Sequence, residues 1–203
     1  MSILRKVPQQ ARSRDRFEKI LDHADIMIGE GGYDGLKMND LARRAEVNIA
    51  SIYQYFPNSA AIARSLIERY LETYRTQLQK HLEGIGRQDT LSLLSTILDH
   101  YFLFFQRNPN FARLWAGVKS DPELKRLDVA DSQENARLIA EALAEISGLP
   151  SKHFQPGCFL ICDLSGNFAQ TLSLLEKSQV KPLLSEYKAL ILHYFEARLS
   201  QSL

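Results

Sequence analysis

The chain is short of several things, and each absence removes a class of function. No run of 18 apolar residues occurs anywhere, and the stretch from Ser2 to Arg16 is polar and basic where a secretory leader would carry an apolar segment. Membrane spanning and secretion are therefore not expected, and no membrane partner is. Only two cysteines are present, Cys158 and Cys162, four apart in an apolar helical run. That spacing puts both on one helix face, where a disulfide is disfavoured, and they read as core thiols of a cytosolic protein. No CxxC pair accompanies a histidine set, so no metal site is expected. The five histidines (His23, His81, His100, His153 and His193) share no motif, and HExxH, GxSxG and glycine-rich phosphate loops are all missing. The expectation is no enzyme, with no catalytic residue and no cofactor. Strand-like alternation bounded by turn residues is absent too, which leaves an all-α chain of about nine helices.

Net charge is +1, too small to coat the surface with positive potential, so any affinity for nucleic acid must come from local placement. Such placement exists. Residues 1–20 carry six basic side chains (Arg5, Lys6, Arg12, Arg14, Arg16 and Lys19) against the acidic Asp15 and Glu18. This is either a solvated tail or an arm that meets phosphates. It precedes a first helix, expected from Arg12 to Gly29, whose inward stripe is Phe17, Ile20, Leu21, Ala24 and Ile28 and which ends in a glycine cluster.

The stretch Leu36 to Phe56 reads as two short helices. Met38, Leu41, Ala42 and Ala45 make the apolar face of the first, and Ile49, Ile52, Tyr53 and Phe56 make that of the second. The linker before Val47 is too short for antiparallel packing, so the helices must cross steeply as a helix-turn-helix. Asn48 is a good N-cap, and Ala50 and Ser51 beside it are small enough for a backbone to approach base edges in a major groove. Tyr53, Gln54 and Tyr55 follow one turn later, with hydroxyl and amide groups suited to phosphates or bases. Arg12, Lys37, Met38, Asn39 and Ile49 complete the candidate DNA-binding set. A short amphipathic hairpin that merely plugs a helical core would give a similar pattern.

Residues 12–62 resemble the DNA-binding domain of the TetR family of transcriptional regulators. The resemblance rests on Gly32-Tyr33-x-Gly35, Met38-x-Asp40-Leu41-Ala42, Ala45-x-Val47 and Ile52-Tyr53-x-Tyr55-Phe56-Pro57. Family members often carry lysine at the position of Ser59 and glycine at that of Ala50, so contacts at those two places are not carried over. The resemblance implies an N-terminal three-helix head over residues 1–58. A long connector helix would join it to a C-terminal bundle for effector binding and dimerisation over 59–203. It also implies a homodimer acting on double-stranded DNA. The alternative is a helical binding module whose head no longer reads DNA.

The rest of the chain fits that frame. After Pro57 a helix from Ser59 to Leu82 is expected, and 24 residues span about 36 Å at the helical rise. Gly84-Ile85-Gly86 reads as a hinge. Further helices are expected over Thr90–Arg107, Phe111–Lys119, Pro122–Ile146, Phe154–Glu176 (opened near Pro156) and Leu183–Leu199 after Pro182. The densest aromatic group, Tyr101, Phe104, Phe105, Phe111 and Trp115, reads either as filled core or as an apolar pocket for a small apolar or aromatic effector. His100, Asn108, Arg113, Trp115, Asn167 and Gln170 are its polar candidates. On the last two helices wide stripes, Phe159, Leu160, Asp163, Leu164, Gly166, Asn167, Gln170 and Leu174 on one and Tyr187, Leu190, Ile191, Tyr194, Phe195 and Arg198 on the other, are expected to form a two-fold four-helix interface, the arrangement the resemblance implies.

Overall fold

The computed structural model describes residues 11–83, 89–118 and 121–200. The expected hinge at Gly84-Ile85-Gly86 and the basic residues Arg5 and Lys6 lie outside them. Among the described residues there are nine α-helices, one 3-10 turn and no strand. The helices are α1 (Ala11–Gly31), α2 (Met38–Arg44), α3 (Ile49–Tyr55), α4 (Ser59–Glu83), α5 (Thr90–Arg107), α6 (Pro109–Val118), α7 (Pro122–Ser147), α8 (Ser151–Leu172) and α9 (Lys177–Ser200), with the turn at Tyr33–Gly35.

Local chemistry sets most of these ends. Gly32 takes φ 66°, a left-handed conformation open to glycine, and so stops α1. Asn58 accepts from the Ala61 amide at 2.9 Å and starts α4. Asp89 does the same for α5, taking the Leu91 and Ser92 amides at 3.0 Å, and Asp121 takes the Glu123 amide at 2.8 Å ahead of α7. Pro109 and Pro122 occupy first helical positions, where a missing N–H costs nothing. Two other prolines depart from that expectation. Pro156 and Pro182 lie inside α8 and α9, which begin at Ser151 and Lys177. Each is only a turn past the start, so one solvent-side hydrogen bond is lost rather than a buried one. The actual stop before α8 is Gly148, at φ 74°.

The chain divides into two compact units, neither of which is one continuous stretch. The first holds Met1–Glu72 and Asn108–Leu124, the second Thr73–Arg107 and Lys125–Leu203. In the first, the core is Ile20, Ala24 and Ile28 of α1, Leu41, Ile52 and Phe56, and Ile62, Leu66 and Ile67 of α4, all 0% exposed. The expected three-helix head gains α6 as an additional wall. Asn110 donates to the Asp25 carbonyl at 3.2 Å, Tyr70 donates to the Asp25 carboxylate at 2.7 Å, and Arg113 donates to the Gly29 carbonyl. Tyr70 also stacks on Phe111 at 4.9 Å. Backbone nearness makes this seam possible, since a Cβ on Gly117 would fall 2.4 Å from that of Tyr33.

The second unit closes on Leu93, Leu98 and Phe102 of α5, Ala140 and Leu143 of α7, Phe154 and Cys158 of α8, and Phe195 of α9, all buried. It also buries a polar group. Asp131 is 8% exposed, paired with Arg75 and accepting from Asn135 at 2.7 Å.

Gly117→Ala is expected to lower stability by about 1–3 kcal/mol, because the Tyr33 Cβ cannot swing away. Gly31→Ala, with nothing within 4 Å, should show no loss in the same urea unfolding series.

Candidate nucleic-acid interface

The helix-turn-helix is held from beneath. Leu41, Ala45, Ile52 and Phe56 are 0% exposed, and Phe17 of α1 packs on Phe56 with ring centroids 4.9 Å apart. Between α2 and α3 the chain turns through Glu46, whose φ of 52° makes it the one positive-φ non-glycine residue among the described residues. The Val47 amide then returns to the Ala42 carbonyl at 3.0 Å. A left-handed residue followed at once by an extended N-cap is what makes α3 leave α2 at a steep angle. Asn48 is that N-cap, its side-chain oxygen accepting from the Ala50 amide at 2.8 Å.

These contacts leave the start of α3 presented to solvent. Asn48, Ala50, Tyr53 and Gln54 are exposed, and Ile49 and Ser51 are half-buried. On the flanks Arg12, Lys37 and Asn39 are exposed and Met38 is half-buried. Arg43 and Arg44, also exposed, pair with Asp40 at 2.7 Å and Glu30 at 2.6 Å. At seven residues α3 is about 10 Å long, within the width of a major groove of about 12 Å.

One expected contact is overturned. Tyr55 is 2% exposed, with its ring edge-on to Phe17 at 5.8 Å and its hydroxyl hydrogen-bonded to Ser13 at 2.7 Å. It points into the head rather than toward a phosphate, because it lies three residues from Ile52 on the buried stripe of α3. Its partner Ser13 was hidden among basic neighbours, and nothing in the sequence singled it out.

The expected effector group is divided. His100, Tyr101 and Phe104 gather around Tyr74, whose ring lies 5.8, 5.2 and 5.4 Å from theirs, and Phe105 lies 5.0 Å from Tyr101. Phe111 and Trp115 belong instead to the first unit, where their rings are 5.7 Å apart and Phe111 stacks on Tyr70. The break at Asn108 that ends α5 is what sends them elsewhere. Asn167 is exposed and donates back to the Asp163 carbonyl of its own helix at 3.1 Å, so it lines no interior. Gln170 is half-buried.

The expected interface residues likewise divide. Phe195 is 0% exposed against Phe154, Ile191 is 9% exposed, and Tyr187 stacks on Phe168 at 4.3 Å while its hydroxyl bonds Ser165 at 3.0 Å. Asp163 pairs with Lys125 at 3.3 Å, and Gly166 faces the Tyr101 hydroxyl. Phe159 is half-buried, and Tyr194, 40% exposed, keeps an outward face. The expected residues that stay open are the leucines: Leu160 (52%), Leu164 (54%) and Leu174 (86%) on α8 and Leu190 (71%) on α9, joined there by Leu183 (41%). Within the wide stripes most of the bulky aromatic residues went to the core and the leucines stayed out.

A short capped helix presented by a steep turn over an aromatic base defines the class: a helix-turn-helix DNA-binding regulator. Comparison with known proteins makes this specific. The family described as Bacterial regulatory proteins, tetR family, matches residues 20–66. That described as Tetracyclin repressor-like, C-terminal domain, matches residues 88–199. The chain belongs to the TetR family, whose members are DNA-binding transcriptional regulators rather than enzymes.

Among its relatives is the probable HTH-type transcriptional regulator YttP of Bacillus subtilis (strain 168), 28% identical over 92 residues. That match covers 45% of this chain and 44% of YttP, less than half of either. Nucleoid occlusion factor SlmA of Aliivibrio fischeri (strain MJ11) is 24% identical over 192 residues, 91% of this chain and 96% of SlmA. Two solved structures show the shared fold. One is a TetR-family regulator from Syntrophomonas wolfei (TM-score 0.70, 16% identity, 92% of this chain and 96% of that one). The other is FadR from Bacillus subtilis in complex with stearoyl-CoA (TM-score 0.62, 18% identity, 87% and 96%). Among the described residues no helix is long and apolar enough to cross a membrane.

Asn48→Ala should cost about 0.5–2 kcal/mol through loss of the cap. Tyr55→Phe should cost about 0.5–1.5 kcal/mol through the Ser13 hydrogen bond. Urea denaturation followed by circular dichroism reads both.

Proposed function

We propose that the chain is a homodimeric, ligand-responsive repressor acting in the cytoplasm on a near-palindromic double-stranded DNA operator. Reading DNA falls to residues 1–58; effector binding and pairing fall to 59–203. Asn48, Ala50, Ser51, Tyr53 and Gln54 meet base edges and the adjoining backbone, and Arg12, Lys37 and Asn39 meet phosphates. The observation that carries this is the exposed start of α3, small and uncharged, above a fully buried base. Ser59 opens α4 without the lysine common in the family, which leaves positioning to the flanking basic groups.

The dimer reading rests on the leucine stripe of α8 and α9. Several large apolar side chains between 40% and 86% exposed on adjacent helices exceed what a lone soluble chain usually leaves open. A two-fold partner covers the same patch on each copy. Two heads then read two half-sites about one DNA turn or more apart, which supplies specificity that one seven-residue helix lacks. The effector lowers DNA affinity by 5- to 150-fold, the usual range of coupling between two sites on one protein.

The test is a gel shift on the DNA upstream of the protein's own gene, with random-sequence selection if that fragment fails. Saturable binding to an inverted repeat is expected, with Ser51 and Gln54 substitutions changing site preference. Binding with no sequence preference, or none at all, would leave only the binding-module alternative. Leu164→Glu with Leu190→Glu is expected to give a folded monomer by sedimentation and to weaken operator binding at least a hundredfold.

A further inference from the structure

The outward face of α3 is narrow and carries no charge. Ala50, Tyr53 and Gln54 are the exposed residues of this helix, and their spacing of i, i+3 and i+4 puts them side by side on one face. Ile52 and Tyr55 are buried behind them, which fixes the direction that face takes, and Ile49 and Ser51 flank it half-buried. The face therefore offers a nucleotide the Ala50 methyl, the Gln54 amide and the hydroxyls of Ser51 and Tyr53. Nowhere does α3 hold a lysine, arginine, aspartate or glutamate. At seven residues it is about 10 Å long, or about three base-pair steps of about 3.4 Å.

Base pairs differ in what they require of such a face. In the major groove guanine presents two acceptors, N7 and O6, best met by the fork of arginine or the ammonium of lysine, and cytosine presents an N–H donor suited to a carboxylate. The helix supplies neither. Arg43 and Arg44 stand on the last turn of α2 and are held by carboxylates, Asp40 at 2.7 Å and Glu30 at 2.6 Å. Asn48 is tied down as well, with its side-chain oxygen on the Ala50 amide at 2.8 Å. Gln54 is different, since its side-chain amide makes no hydrogen bond among the described residues. Its oxygen and N–H2 match the N6–H donor and N7 acceptor of adenine, and a methyl such as that of Ala50 packs on the C5-methyl of thymine.

We propose that the base pairs under this face are A·T pairs, with a thymine against Ala50 and an adenine against Gln54, so that each operator half-site has an A·T core. This rests on the DNA-reading role above and names the class of DNA that the helix selects. Arg12 and Lys37, which meet phosphates in that reading, add affinity without base preference. Selectivity then comes from one amide and one methyl on each head, and two heads double it.

The test is random-sequence selection with the full chain, followed by binding titrations at one fixed salt concentration. The positions under α3 are those whose base frequencies change when selection is repeated with Ala50→Gly or Gln54→Ala, and they should be A·T in the unsubstituted protein's half-site. Deoxyuridine in place of thymidine there removes only the C5-methyl and should weaken binding about fourfold per half-site. Ala50→Gly should bind the two DNAs equally. Gln54→Ala should lose its preference for adenine, and Gln54→Arg should exchange adenine for guanine, each a change of about 5- to 150-fold in relative affinity. G·C pairs at those positions, selection that neither substitution alters, or an A·T core indifferent to deoxyuridine and to both Gln54 substitutions overturns the proposal and leaves the regulator standing. No sequence selectivity in the unsubstituted protein removes the regulator reading, and the A·T core with it.

Discussion

The contact between Phe17 and Phe56, with Tyr55 edge-on to Phe17, is the constraint from which the head follows. A seven-residue helix is too short to persist in water, because nucleation is costly and only a few backbone bonds offset it. What keeps α3 helical is its buried side, where Ile52 and Phe56 lose all contact with solvent. Burying an aromatic ring is worth on the order of 2–3 kcal/mol, more than the helix could supply itself. The exposed side is then free to be chosen for recognition alone, and it is small and polar where the buried side is large and apolar.

Much of the architecture could be read from residue order. The 3.6-residue periodicity located all nine helices, and capping residues set several starts closely, among them Ser59 after Asn58 and Thr90 after Asp89. Boundaries failed where proline was taken as a starter, since Pro156 and Pro182 sit a turn inside helices whose stops lie further upstream. Among site residues, Asn48, Ala50, Tyr53 and Gln54 stand exposed as anticipated, whereas Tyr55 went inward. Tyrosine suits either environment, and only the helical phase relative to Ile52 decides. The same ambiguity divided the wide stripes of α8 and α9, most aromatic residues turning inward and the leucines staying out. Phe195 and Leu190 occupy a similar pattern of spacing, and nothing local says which faces the core. Long-range docking was the least legible. The seam of α6 depends on Gly29 and Gly117 each meeting a side chain more than 80 positions away, Asn110 and Tyr33 respectively.

The two units handle buried polarity differently. In the first, Tyr70 is matched to Asp25, Asn110 to the Asp25 backbone and Ser13 to Tyr55, and among the described residues the Ser65 hydroxyl is the unmatched exception. In the second, unmatched groups persist at Asn135, and the two histidines His81 and His100 stack at 5.7 Å with one ring nitrogen each left buried and unsatisfied. Each such atom costs about 1–3 kcal/mol when left dry. A core selected for stability alone would replace them with apolar residues of similar volume, and their presence marks the second unit as the part of the molecule where rigidity has been given up.

The hydrogen bond between Ser13 and Tyr55 has a practical corollary. It pins the first turn of α1 directly to the end of α3, so any peptide fused ahead of residue 1 is tethered about a dozen residues from the helix proposed to read nucleotides. An affinity handle there would compete for that surface or add its own charge to it. Purification handles for this molecule therefore belong after α9.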